Sequence, residues 1–266
     1  MKKRVLSAII MLLVFIPLLF VGGKVFALFM SLTAVLGLYE LLKIKEAKKK
    51  LPIVMKVISY IIVVFMSLNN MDAIDFHYMM DYKNISIIIF GFVAPLVFIN
   101  DNNKYNISDA LYLIGSTLFL GFSFNLIIIT RNYDLMYIIY LLLISTITDT
   151  FALITGKLVG KTKLCPTISP NKTVEGMIGG TVMGVFVATS FYHVFMNPNY
   201  SLVFLILITT ILSLVGQLGD LVFSMIKRYY NKKDFSNLIP GHGGVLDRLD
   251  SLIFIVLAFI LVMGII

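Results

Sequence analysis

Apolar residues run along this chain in long, nearly unbroken stretches, not in the alternation of half-buried strands or the narrow stripe of a soluble helix. Nine stretches stand out, at residues 5–22, 25–42, 53–68, 85–99, 110–130, 135–155, 174–195, 201–226 and 249–266. About 20 apolar residues in helical form cross the hydrocarbon layer of a bilayer. The pattern therefore predicts an all-α, polytopic integral membrane protein with about nine transmembrane helices. The first two are joined by a tight turn at Gly22-Gly23, the fourth is short, and the eighth is long and ends in polar chemistry. The opening MKKRVLSAIIMLLVF has the basic start and apolar body of a signal peptide. No small-residue cleavage pattern follows it and another apolar run begins almost at once, so a retained first span is expected.

Composition removes the soluble alternatives. Hydrophobic residues make up 59% of the chain and charged residues 14%, against about 25% charged in ordinary soluble domains. Mean hydropathy is +0.96. The net charge of +8 is no nucleic-acid signature, because the basic residues fall between apolar runs and form no continuous stripe. They read as topology signals and as candidates for holding anionic headgroups. With the N-terminus inside, 19 of the 22 basic residues fall on cytoplasmic segments, leaving Lys24, Lys83 and Arg131 outside. Asp72, Asp75 and Asp81 then lie on the outer side, and the C-terminus faces outward. The expected location is the cell membrane, multi-pass. Two cytoplasmic loops, at residues 156–176 and 227–248, hold most of the unusual residues, which predicts an active site facing the cytoplasm. The expected organisation is a structural and dimerising region at 1–134 and a catalytic region at 135–266. A lone cysteine, Cys165, excludes an intrachain disulfide and a cysteine-based zinc site.

The chemistry begins with carboxylates at membrane depth. Asp149 in STITDTFAL and Asp220 in VGQLGDLVF interrupt apolar runs. Each costs about 2.5–3.5 kcal/mol at a helix centre, so such residues face a cavity, a partner or an ion. A lysine partner that merely holds helices together explains either aspartate alone as well as a site does; two beside a third cluster favour a site. That cluster is DRLD, where Asp247 and Asp250 share a face in the first turn of the last helix. Acidic capping of a helix dipole accounts for one of them but leaves Gly241, Gly243 and Gly244 unexplained. Glycines let backbone approach a ligand closely. Magnesium binds through one or two carboxylates plus substrate phosphates, and Asp149, Asp220, Asp247 and Asp250 could supply that number. His77 and His193 fall toward the outer side, and His242 suits a hydrogen bond to phosphate or a modest acid–base role better than a metal. Ser169-Pro170-Asn171-Lys172-Thr173 reads as a helix start with Ser169 at the cap and Pro170 at the first position, and such a terminus suits phosphate. Asp220, Ser224 and Lys227 form a polar stripe on one helix, which Lys227 and Arg228 end. Lys232, Lys233, Tyr229 and Tyr230 read as interfacial anchors. No P-loop, nucleophile elbow or H-E-x-x-H helix occurs.

The stretch QLGDLVFSMIKRYYNKKDFSNLIPGHGGVLDRLD resembles the signature of the phosphatidate cytidylyltransferase (CDP-diacylglycerol synthase) family. The matching positions are Ser224, Lys227, Arg228, Lys233, Asp234, Ser236, Ile239, Pro240, Gly241, His242, Gly243, Gly244, Val245, Asp247, Arg248 and Asp250. Upstream, TDTFAL and SPNKTVEG resemble family segments in the same order, so the likeness covers roughly residue 148 onward. Phe223 stands where some members carry an acid. The resemblance implies transfer of CMP from CTP to phosphatidic acid, giving CDP-diacylglycerol and pyrophosphate in phospholipid biosynthesis, with magnesium required and a second cation consistent with two-metal logic. It implies catalytic roles for Asp220, Asp247, Lys227 and Arg228, with Asp149 and Asp250 completing the metal shell. Substrate contacts fall to Ser169, Lys172, Ser224, Gly241, His242, Gly243, Gly244 and Arg248. CTP, phosphatidic acid and the lipid bilayer are the implied partners, and a homodimer is compatible with the family. The rival readings are a related enzyme with another lipid acceptor and an ion-coupled transporter.

Overall fold

The computed structural model describes residues 2–69, 82–99, 101, 103–196 and 201–263. His77, Asp72, Asp75 and Asp81 lie outside the described residues. Among the described residues the regular structure is helical apart from one short hairpin, in keeping with the all-α class read from the apolar runs. The helices are α1 (Lys2–Val21), α2 (Gly23–Glu46), α3 (Ile53–Leu68), α4 (Tyr82–Val93), α5 (Pro95–Ile99), α6 (Ile107–Tyr133) and α7 (Leu135–Leu158). The hairpin of β1 (Lys163–Cys165) and β2 (Ser169–Thr173) follows, then α8 (Val174–Met196), α9 (Leu202–Tyr229) and α10 (Leu246–Met263). Among the described residues, α2, α6, α7, α8 and α9 are long and apolar enough to cross a membrane, and Leu6–Val21, Ile53–Leu68 and Asn84–Ile99 are shorter apolar helical stretches. The fourth apolar run is two helices because Pro95 has no N–H to give to the turn before it, and the ladder breaks at Ala94.

The chain divides into two compact units, Met1–Tyr133 with Asp234–Asp247, and Asp134–Lys233 with Arg248–Ile266. In the first, α6 packs against α2, α3 and α4, around Phe26, Met30, Leu38, Leu113 and Phe124. The α1–α2 turn uses Gly22 and Gly23, both at positive φ. There Arg131 closes the end of α1, its Nε donating to the Leu19 carbonyl at 2.7 Å and its Nη2 to that of Phe20 at 2.8 Å.

In the second unit α7 and α8 pack with their backbones almost touching. A Cβ on Gly180 would stand 2.5 Å from the Thr148 carbonyl, and one on Gly176 2.6 Å from that of Ala152. Small residues permit this approach where no hydrophobic effect drives helices together. Polar pairs tie α9 to both: Thr148 of α7 with Ser213 at 2.9 Å, Tyr140 of α7 with Thr209 at 2.8 Å, and Gln217 Nε2 donating to Thr181 of α8 at 2.8 Å.

Ser169-Pro170 does not open a helix. Residues 169–173 form β2, antiparallel to β1 with Lys163 opposite Thr173 and Cys165 opposite Ser169, so Cys165 sits in a strand and not a loop. The cap of α8 is Thr173, whose Oγ1 accepts from Gly176 N at 3.1 Å. Val174 N donates to the Thr162 carbonyl at 2.9 Å, and the Glu175 carboxylate accepts the backbone N–H groups of Lys161 and Thr162, both at 3.1 Å. These bonds serve backbone groups of the loop that a helix begun at Ser169 would leave without partners, which places the helix start four residues later than expected.

Candidate active site

Within the second unit, Asp149 lies nine residues before the end of α7, and Asp220 nine residues before the end of α9. At 1.5 Å per residue each carboxylate stands about 14 Å from the end of its helix. A shared depth is what a common site requires. Asp250 lies in the first turns of α10, within electrostatic reach of Asp220, Asp149 and Lys227. Asp149 in turn feels Asp220 and Lys172, and Ser251 lies beside it. β2 delivers Lys172, whose Nζ meets Asp220 Oδ2 at 2.5 Å with both side chains 27% exposed. Ser224 donates to Asp220 Oδ1 at 3.4 Å, so the predicted stripe of Asp220, Ser224 and Lys227 exists. Lys227 itself is buried.

The end of α9 is fixed by Asn231, which takes positive φ while Lys232 N returns to the Lys227 carbonyl at 2.9 Å. Arg228 is exposed and spans the loop, its Nε donating to the Ile168 carbonyl at 3.3 Å and its Nη1 to that of Lys232 at 2.8 Å. Ser169 lies at the start of β2, paired across to Cys165, and Arg248 is exposed on α10. Three carboxylates facing two ammonium groups can hold a polyanion through the lysines and a hard cation through the oxygens. Among the described residues no three such side chains are close enough to form a ready-made metal cage. The donor set still fits magnesium, which takes few protein carboxylates and completes its shell with phosphate oxygens and water.

The glycine segment belongs to the first unit. Ile239 N donates to the Gly243 carbonyl and His242 N to the Ile239 carbonyl, both at 2.9 Å, closing a tight turn in which Gly241 and Gly243 have φ near +80° and +85°. Gly244 presses on the carboxylate of Glu40, where an added Cβ would lie 2.7 Å from Cδ. The three glycines thus have a structural use that the sequence reading denied them. Asp247 likewise shows the capping geometry: its Oδ2 accepts from Gly244 N at 2.9 Å and Phe235 N at 3.0 Å. His242 Nδ1 lies 2.8 Å from Ser7 Oγ, and that hydroxyl donates to the Pro240 carbonyl at 2.9 Å.

Sequence reasoning missed Glu40. Fully buried, it accepts from Ser236 Oγ at 2.6 Å, Val245 N at 2.8 Å and Leu246 N at 2.9 Å. The available signal was a carboxylate in LYELLKIK, overshadowed by the lysines that follow it.

Two carboxylates at matched depth on apolar helices, met by a lysine from the hairpin and another near the end of α9, are the features of a membrane-embedded protein that handles a charged substrate. The chain belongs to the cytidylyltransferase family, whose model matches residues 2–266. It is 39% identical over 256 residues to the phosphatidate cytidylyltransferase of Staphylococcus haemolyticus, covering 96% of both chains. The phosphatidate cytidylyltransferase of Staphylococcus saprophyticus matches at 39% and that of Staphylococcus aureus (strain COL) at 38%, each with the same coverage.

Proposed function

We propose that this protein transfers CMP from CTP to phosphatidic acid, yielding CDP-diacylglycerol and pyrophosphate for phospholipid synthesis. The observation that carries the reading is the group of Asp149, Asp220 and Asp250 with Lys172 and Lys227, in a chain of this family. A phosphate oxygen of the lipid attacks the α-phosphorus of CTP. The bond from that phosphorus to the bridging oxygen breaks, and pyrophosphate leaves in line. The lipid phosphate is already ionised at neutral pH, so the nucleophile needs no strong base.

The protein's task is to bring two anions together and hold them aligned. Lys172, Lys227 and Arg228 neutralise phosphate charge, Ser169, Ser224 and Arg248 add contacts to it, and Gly241 to Gly244 with His242 receive the nucleotide. Asp149, Asp220 and Asp250 would hold magnesium, with Asp247 as a further candidate and room in the donor set for a second cation. Magnesium, when bound, supplies neutralisation of the triphosphate. The α1 and α3 stretches, the α4–α5 pair and α10, added to the five long helices, give nine spans, with the hairpin and the α9–α10 loop on the cytoplasmic side. Helices of the first unit form a homodimer, which cross-linking in membranes tests.

Purified protein in detergent, given labelled CTP, phosphatidic acid and magnesium, is expected to release pyrophosphate in step with CDP-diacylglycerol. Withholding the metal is expected to abolish turnover. Product only with another lipid acceptor would move the substrate assignment, and uptake without turnover would refute the enzyme.

A further inference from the structure

We propose that Glu40 is a positioning residue for the reaction, acting through the turn that carries Gly241 to Gly244. This inference rests on the reading of the protein as a phosphatidate cytidylyltransferase. One carboxylate on α2 serves three groups of the segment Asp234–Asp247: the Ser236 hydroxyl before the turn, and the Val245 and Leu246 N–H groups after it. It therefore grips both arms of the turn. The two amides belong to the start of α10, where the first N–H groups have no partner within the helix and a carboxylate suits the positive end of the dipole. Asp247 works from the other side, on Gly244 and Phe235. Gly244 touches Glu40 along its whole carboxylate, with an added Cβ 2.7 Å from both Cδ and Oε2. A side chain with zero exposure meets no substrate, so any effect on catalysis passes through the turn.

The chemistry of the grip is specific. Glutamine keeps one acceptor oxygen but sets an NH2 group against an N–H donor. Aspartate keeps both oxygens and withdraws them by one C–C bond, about 1.5 Å. That withdrawal also clears the space a Cβ at position 244 needs. The test is steady-state kinetics with both substrates on wild type, Glu40→Gln, Gly244→Ala and the double variant Glu40→Asp/Gly244→Ala. Wild type must first turn over CTP with phosphatidic acid; if it does not, the functional reading fails and not this inference. Given turnover, Glu40→Gln is expected to lower kcat/KM for CTP about tenfold or more through a raised KM for CTP, with KM for phosphatidic acid within about twofold. Gly244→Ala is expected to lose as much, and the double variant to recover at least about fivefold over Gly244→Ala. Wild-type kinetics in Glu40→Gln, or a lower kcat with both KM values unchanged, would overturn the proposal, the latter marking a merely structural carboxylate. If Glu40→Gln fails to fold, the double variant decides: no recovery over Gly244→Ala means Glu40 does not act through the turn.

Discussion

Neutralising the ion pair between Lys172 and Asp220 separates a structural pair from a working site. At an effective dielectric constant of about 20, charges 2.5 Å apart attract by about 7 kcal/mol. Desolvation offsets most of that. Since both side chains keep about a quarter of their exposure, the coupling in stability is expected at about 1–3 kcal/mol, between surface pairs and fully buried ones. Asp220→Asn and Lys172→Met should each lower the thermal midpoint in detergent. The double variant should regain part of the loss, because neither charge is then left alone. Activity should behave differently. Removing a group that holds charge developing at the reacting phosphates costs about 10²–10³ in kcat, and removing its neighbour restores nothing. Pyrophosphate release is therefore expected to fall at least about 100-fold in Asp220→Asn and in the double variant alike. A double variant with turnover within about threefold of wild type would refute the reasoning and leave the pair a strut between β2 and α9.

Gly243→Ala forces a side chain into φ near +85° and to 2.9 Å from Asp247 Oδ2, so stability should fall by about 1–3 kcal/mol, read from thermal unfolding. Gly180→Leu drives bulk into the Thr148 carbonyl and Ala152, and the expected result is loss of the monodisperse peak in size-exclusion chromatography, since close α7–α8 packing cannot relax around it. Cys165 is the chain's one cysteine and part-exposed in β1, so an impermeant maleimide should label inside-out vesicles and spare right-side-out ones. The reverse result would invert the topology. Tyr140→Phe removes a hydroxyl that shares its bond with Thr209 and should cost only about 0.6 kcal/mol, the usual worth of such a bond in a membrane protein.

The helices were legible because a run of apolar residues long enough to span lipid has few other uses. Asp149 and Asp220 were legible for the same reason, as charges in places that penalise them. The hairpin was not: SPNKT has the proline and hydroxyls of a helix start, and its strand character comes from pairing with KLC across Pro166. Glu40 was hidden by distance, since the amides it serves lie 205 and 206 residues further along the chain. The glycines were noticed for a ligand, and their structural use, positive φ at Gly241 and Gly243 and the carboxylate against Gly244, was not legible because it depends on the fold.

A strand at the edge of a membrane protein has its own arithmetic. β2 sets its residues Ser169 to Thr173 against Lys163 to Cys165 through an irregular register, so the direction of each side chain depends on where the extra length is taken up. Lys172 reaches Asp220 only in the present register, held by Thr173 opposite Lys163 and by the Glu175 carboxylate on the backbone of Lys161 and Thr162. Deleting one residue between Cys165 and Ser169 would turn the lysine away from its carboxylate while leaving every helix intact. The length of this small ribbon is thus under tighter constraint than that of any loop that merely links two spans.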